Sequence, residues 1–131
     1  MSDKWYTRPV FFVTDINRSV DFYVKQFGFK ENWRFTSEGG EDAVAQVARP
    51  GIELILSSEE DEGKGKGLIF ISLDLEVLLA LRAEMEGRGV AVKEGIWGYR
   101  VMVIADPDGN KFYFAYDEGT KVKGTLRRND D

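Results

Sequence analysis

Val13-Thr-Asp-Ile-Asn-Arg-Ser-Val-Asp-Phe-Tyr23, continuing to Phe27-Gly28-Phe29, is the stretch on which the fold turns. Ahead of it, Arg8 to Thr14 is rich in Val and Phe and reads as a strand, with Pro9 near its start, where a missing N–H is tolerated. Asp15 and Asn17 offer capping side chains. Val20, Tyr23, Val24 and Phe27 then recur at the spacing of one helix face. Gly28 stands where a left-handed helix end is wanted. Strand, capped helix and glycine stop together predict one βα unit.

Working outward, three strands follow. Phe29 to Phe35 is one, with Glu31, Trp33 and Phe35 expected on one face; Ala43 to Ala48 and Ile52 to Ser57 are the others. Arg49-Pro50-Gly51 is the turn between the last two, since proline presets the backbone and glycine accepts positive φ. Glu59 to Gly67 is charged and glycine-rich and reads as a link.

The order then repeats. Leu68 to Leu73 is a strand, and Asp74 is expected to cap a helix with the stripe Leu78, Leu81 and Met85, ended by Gly87 and Gly89. Strands are expected at Val90 to Lys93, Tyr99 to Ala105 and Lys111 to Asp117, with Asp106-Pro-Asp-Gly-Asn110 as the turn before the last. The junctions Asp15 and Asp74 lie fifty-nine residues apart and the turn prolines Pro50 and Pro107 fifty-seven, so the register is kept across both marks. The expected fold is α+β: two βαβββ modules whose curved mixed sheets surround a cleft, with the helices outside. We expect one domain over 1–131, with module 1 at about 5–58, the link at 59–67, module 2 at about 68–117 and a polar tail at 118–131.

Strand alternation assigns the faces. Phe11 and Val13, Ile52, Leu54 and Leu56, Ile69, Ile71 and Leu73, and Phe112, Phe114 and Tyr116 should lie under the helices. The opposite faces mix aromatic, aliphatic and charged residues, as a ligand cavity does: Arg8, Val10, Phe12; Glu53, Ile55, Ser57; Leu68, Phe70, Ser72; Lys111, Tyr113, Ala115.

The 131 residues contain no cysteine and no histidine. Disulfides, thiolate chemistry and the commonest general base and metal ligand are therefore excluded. With a net charge of −5 and no basic stripe, nucleic acid is a poor partner. Leu68 to Leu81, the longest apolar stretch, is too short and too charged to span a membrane. No apolar segment follows Met1, so the cytoplasm is the expected location.

The 13–23 stretch, Phe27-Gly-Phe29, Trp97-Gly-Tyr-Arg100 and Asp106-Pro-Asp-Gly-Asn110, in this order, resemble the vicinal oxygen chelate superfamily of glyoxalases, extradiol dioxygenases, fosfomycin-resistance enzymes and bleomycin-resistance proteins. The resemblance runs from about residue 8 to 117. It implies four metal-ligand positions, occupied here by Arg8, Glu53, Leu68 and Tyr113. One carboxylate among four is too few donors for a divalent ion, so no metal and no cofactor is expected.

The resemblance then points to the metal-free, bleomycin-resistance-like branch. Its members are dimers that sequester a cationic antibiotic with planar rings in aromatic clefts. The expected function is to bind an aromatic or cationic small molecule, an antibiotic or secondary metabolite, in a homodimer. The candidate ligand-binding residues are Arg8, Trp33, Phe35, Glu53, Phe70, Trp97, Tyr99 and Tyr113. Glu53 either pairs with Arg8 or meets the ligand. Two alternatives stand beside this reading: a metal-independent lyase or isomerase with Glu53 as base, and an interaction module whose cleft its own side chains fill.

Overall fold

A computed structural model of the chain describes residues 4–116. The expected tail, 118–131, and the end of the last strand at Asp117 lie outside the described residues.

Each half is a four-stranded mixed sheet with a helix on one side. Module 1 contains β1 (Val10–Phe12), α1 (Ile16–Asp21) running into a π-helical turn (Phe22–Gln26), β2 (Lys30–Thr36), β3 (Asp42–Arg49) and β4 (Ile52–Ser57). Module 2 contains β5 (Leu68–Ser72), α2 (Leu75–Gly87), β6 (Lys93–Ile96), β7 (Arg100–Ala105) and β8 (Lys111–Ala115). The strand orders are the same, β1-β4-β3-β2 and β5-β8-β7-β6. In each sheet the first strand pairs parallel with the last and the other pairings are antiparallel. The two βαβββ modules are therefore as expected.

The first helix starts as the sequence predicts: Asp15 Oδ1 accepts from Arg18 N. It then widens, Phe27 N donating to Phe22 O across a five-residue interval, and Tyr23 and Phe27 stay buried beside Val20. Gly28 closes it at φ +78°. Three expectations are corrected. β1 is shorter than Arg8 to Thr14. Asp74 occupies the N-cap position of α2 but makes no side-chain cap bond. Val90 to Val92 is not strand: Val90 N returns to Met85 O and its side chain turns into the core, so β6 begins only at Lys93.

The helix-side faces of both modules meet in one core. Phe112 of module 2 packs edge-on against Phe11, Tyr23 and Phe27 of module 1, with ring centroids 5.5, 6.0 and 4.9 Å apart. Such pairs add to the roughly 1.5–3 kcal/mol of burying each large apolar side chain.

The Asp106–Asn110 turn does more than reverse the chain; it fastens module 2 to module 1. Asp108 Oδ1 accepts from Thr14 N, Thr14 Oγ1 and Arg18. Asn110 donates to Phe12 O and accepts from Gly67 N. Asp106 accepts from the buried Tyr23 hydroxyl at 2.9 Å. Burial first, and then the Asp106 carboxylate, push the Tyr23 phenol well above its ordinary range. The Pro50 turn reaches the other way, Arg49 donating to Phe27 O and to Glu84 of α2. Gly67 has no room for a side chain because the Phe11 ring lies against it.

Candidate functional site

The helices cover one face of each sheet and leave the other open. On that open face Phe35 and Trp97 are just over half exposed, and Trp33 and Phe70 each 40%. The exposure is large for such rings, and exposed apolar surface of this kind marks binding or association.

Module 1 presents a polar network there. Arg8 donates to Gln46 Oε1 at 2.9 Å, and the Gln46 amide donates to Asn32 Oδ1 at 2.9 Å. Gln46 is buried, so it holds the guanidinium from below. Arg8 also lies over the Tyr6 ring, 4.8 Å from its centroid. The Tyr6 hydroxyl donates to Glu53, which raises the Tyr6 phenol above its ordinary range. Arg8 and Glu53 therefore do not pair with each other, the alternative open at the sequence level. Tyr6, Asn32 and Gln46 were absent from the candidates. Gln46 had a legible signal, as the polar member between Val44 and Ala48 on one strand face; Tyr6 precedes the first strand and had none.

Module 2 presents rings. Phe70 and Trp97 lie 5.0 Å apart, and Trp97 meets Tyr113 edge-on at 5.9 Å. Tyr99 is half-buried beside them in sequence, and its carbonyl accepts from Trp97 N at 2.8 Å, which closes the Trp97-Gly98 turn. Trp33 and Phe35 stay on the other sheet, opposite Gln46 and Val44. Among the described residues no hydrogen bond, ion pair or ring contact joins the two groups, and Trp33, Trp97 and Tyr113 do not gather into one plug.

One further face assignment is corrected. A bulge between Glu31 and Trp33 places Glu31 opposite Val47 and Trp33 opposite Gln46. Glu31 therefore lies on the helix side, apart from Trp33 and Phe35, and pairs with Arg34 at 2.7 Å.

The residues do not fit the metal that such a fold implies. Arg8 and Leu68 supply no anionic donor, Glu53 is engaged by Tyr6, and among the described residues no three His, Cys, Asp or Glu side chains come together. A groove of about 700 Å³ runs between the modules, lined by Phe27, Phe29, Phe112, Ile69, Ile71 and Glu53 among others. No helix among the described residues is long and apolar enough to cross a membrane.

The family model of the Glyoxalase/Bleomycin resistance protein/Dioxygenase superfamily matches residues 5–114. Among solved structures, TnmS3, an antibiotic binding protein from Streptomyces sp. CB03234, is similar at 27% identity with a TM-score of 0.66, over 88% of this chain and 98% of its own. A glyoxalase/bleomycin resistance protein from the same strain is 28% identical, with a TM-score of 0.60 over 84% of this chain and all of its own. A bleomycin-binding protein from bleomycin-producing Streptomyces verticillus, solved with copper(II)-bleomycin, shares the fold at 24% identity, with a TM-score of 0.67 over 90% of this chain and all of its own. No curated protein sequence matches the chain.

Proposed function

This chain belongs to the glyoxalase/bleomycin resistance protein/dioxygenase superfamily, and from that premise we propose that it is a metal-free binding protein that sequesters a small, flat aromatic molecule, an antibiotic or secondary metabolite. The observation that carries this is the ring cluster Phe70, Trp97 and Tyr113, held on an open sheet face with Trp97 and Phe70 40% or more exposed. Ring faces at this exposure bind planar partners through stacking and burial. The antibiotic-binding role of TnmS3 supports the same reading.

The two candidate groups lie on separate sheets, and each sheet is open. A homodimer that sets the module 1 face of one protomer against the module 2 face of its partner would bring them into one cleft. Glu53, the base that a lyase or isomerase would need, is engaged by Tyr6, so the binding reading takes precedence over the enzymatic one.

Titration of bleomycin and a panel of planar anthraquinone antibiotics against tryptophan fluorescence tests the proposal. Quenching at micromolar concentration by at least one compound is expected, weakened about tenfold in Phe70→Ala and Tyr113→Ala, a loss of about 1.4 kcal/mol each. Absence of quenching by every compound would defeat it. Sedimentation of the free protein checks the dimer.

A further inference from the structure

The chain as a whole is acidic, at −5. Its open sheet faces are the reverse. Cross-strand partners share a face, which assigns each strand charge. In module 1, Arg8 lies two residues ahead of the Val10–Ile55 pair and so beside Glu53, while Lys30 stands opposite Ala48, which stands opposite Glu53. In module 2, Lys93 stands opposite Val103, itself opposite Tyr113, and Lys111 stands opposite Leu68 and Ala105. Among the described strand residues and Arg8 just ahead of β1, the open faces thus carry Arg8, Lys30, Lys93 and Lys111 against the single carboxylate Glu53.

None of those four cations has a carboxylate partner within 4 Å among the described residues, whereas Arg18, Arg34, Arg49, Arg82, Arg88 and Arg100 all do. The carboxylates have been moved away. Unbroken alternation would place Glu31 with Trp33 and Asp42 with Val44, both on the open face. The bulge after Glu31 and a second register shift after Phe35, opposite Ala43, turn both to the helix side, where Arg34 holds them at 2.7 and 2.9 Å. In module 2 Glu94 stands opposite buried Met102 and is held by Arg82 and Arg100. Lys93, Lys111 and Tyr113 also line a pocket of about 460 Å³, together with Phe22 and Gln26 of the π-helical turn; Glu94 is on its wall too, but its charge is met by Arg82 and Arg100.

We infer that the molecule bound on these faces is an aromatic anion, bearing a carboxylate, sulfonate or phosphate, and not a cation. This deepens the proposed function and rests on it: rings meet Phe70, Trp97 and Tyr113, and the acid group meets Arg8 or the Lys93–Lys111 pair. Arg8 is the better oriented of these, because Gln46 and Tyr6 hold its guanidinium while leaving donors free for a bidentate contact.

Calorimetric titration of the full chain with 2-naphthoate, 2-naphthamide and 2-naphthylmethylammonium separates the charges on one ring system. The naphthoate is expected to bind at least tenfold tighter than the amide, and the ammonium weakest, with the preference fading between 50 and 500 mM salt as charges are screened, on the order of these concentrations. Arg8→Gln and the double variant Lys93→Gln/Lys111→Gln should weaken naphthoate alone. Glu53→Gln should strengthen it, and Lys66→Gln, removing the same charge from the link, should change nothing. Equal or tighter binding of the ammonium would overturn the inference while leaving the binding function standing. Binding of none of the three would overturn both.

Discussion

The two modules share strand order, parallel closure and a proline turn at the same place, yet their open faces carry different chemistry. Module 1 shows a hydrogen-bonded network of Tyr6, Arg8, Asn32, Gln46 and Glu53. Module 2 shows a bank of rings, Phe70, Trp97 and Tyr113. Their helix-side faces, by contrast, are alike: large apolar residues below, paired charges at the rim. Backbone pairing and core packing constrain the covered face in both copies. The open face is less constrained, so the two copies differ there, one presenting hydrogen-bonding groups and the other rings.

The largest effect should come from breaking what the modules share. Phe112→Ala removes the ring that touches Phe11, Tyr23 and Phe27, and should cost about 3–5 kcal/mol in urea unfolding. A loss confined to module 2 signals, with module 1 unaffected, would show that the halves do not share a core.

Next in size, Asp108→Ala deletes the acceptor of three bonds from Thr14 and Arg18 and should cost about 1–3 kcal/mol. The module 1 turn offers the contrast. Arg49→Ala loses the longer 3.4 Å contact to Glu84 and the bond to Phe27 O, and a smaller loss is expected. Equal losses would remove the distinction between the two turns.

The smallest effect is electrostatic and compares the rims. Burial raises Glu94, but hydrogen bonds from Tyr116, Arg100 and Arg82 outweigh it and leave its carboxyl below the ordinary range. In module 1, the Thr36 hydroxyl and then Arg34 lower Asp42. A carboxylate with a depressed folded value stabilises above its unfolded value and loses that contribution as pH falls through the folded one. Stability should therefore decline below about pH 4.3, by at most about 1 kcal/mol from the half-exposed Glu94 rim. Urea midpoints of the protein and of Glu94→Gln, measured from pH 7 to 3, check this; parallel curves would refute a depressed Glu94.

Much of the architecture was legible because it depends on local periodicity. The helix stripe at Val20, Tyr23 and Phe27, the alternation of Leu54 and Leu56, and the glycine stop at Gly28 are each readable within a few residues. The candidate rings Phe70, Trp97 and Tyr113 were legible one by one, but their contact was not, since it joins three strands or turns. The face of Glu31 was misread because a bulge inserts one residue and reverses every assignment beyond it, and only the partner strand reveals where the insertion falls.

The superfamily, the duplicated βαβββ plan and the poverty of metal donors were determined by the sequence alone: strand and helix periods repeat in register, and residue types either carry a donor or do not. Tertiary structure decided the rest. Pairing across strands turned Glu31 and Asp42 to the helix side, gave Glu53 to Tyr6 and Arg8 to Gln46, and left an acidic chain with open faces that are basic. Side-chain partnership is a property of distance in space, and a one-residue bulge is enough to change it.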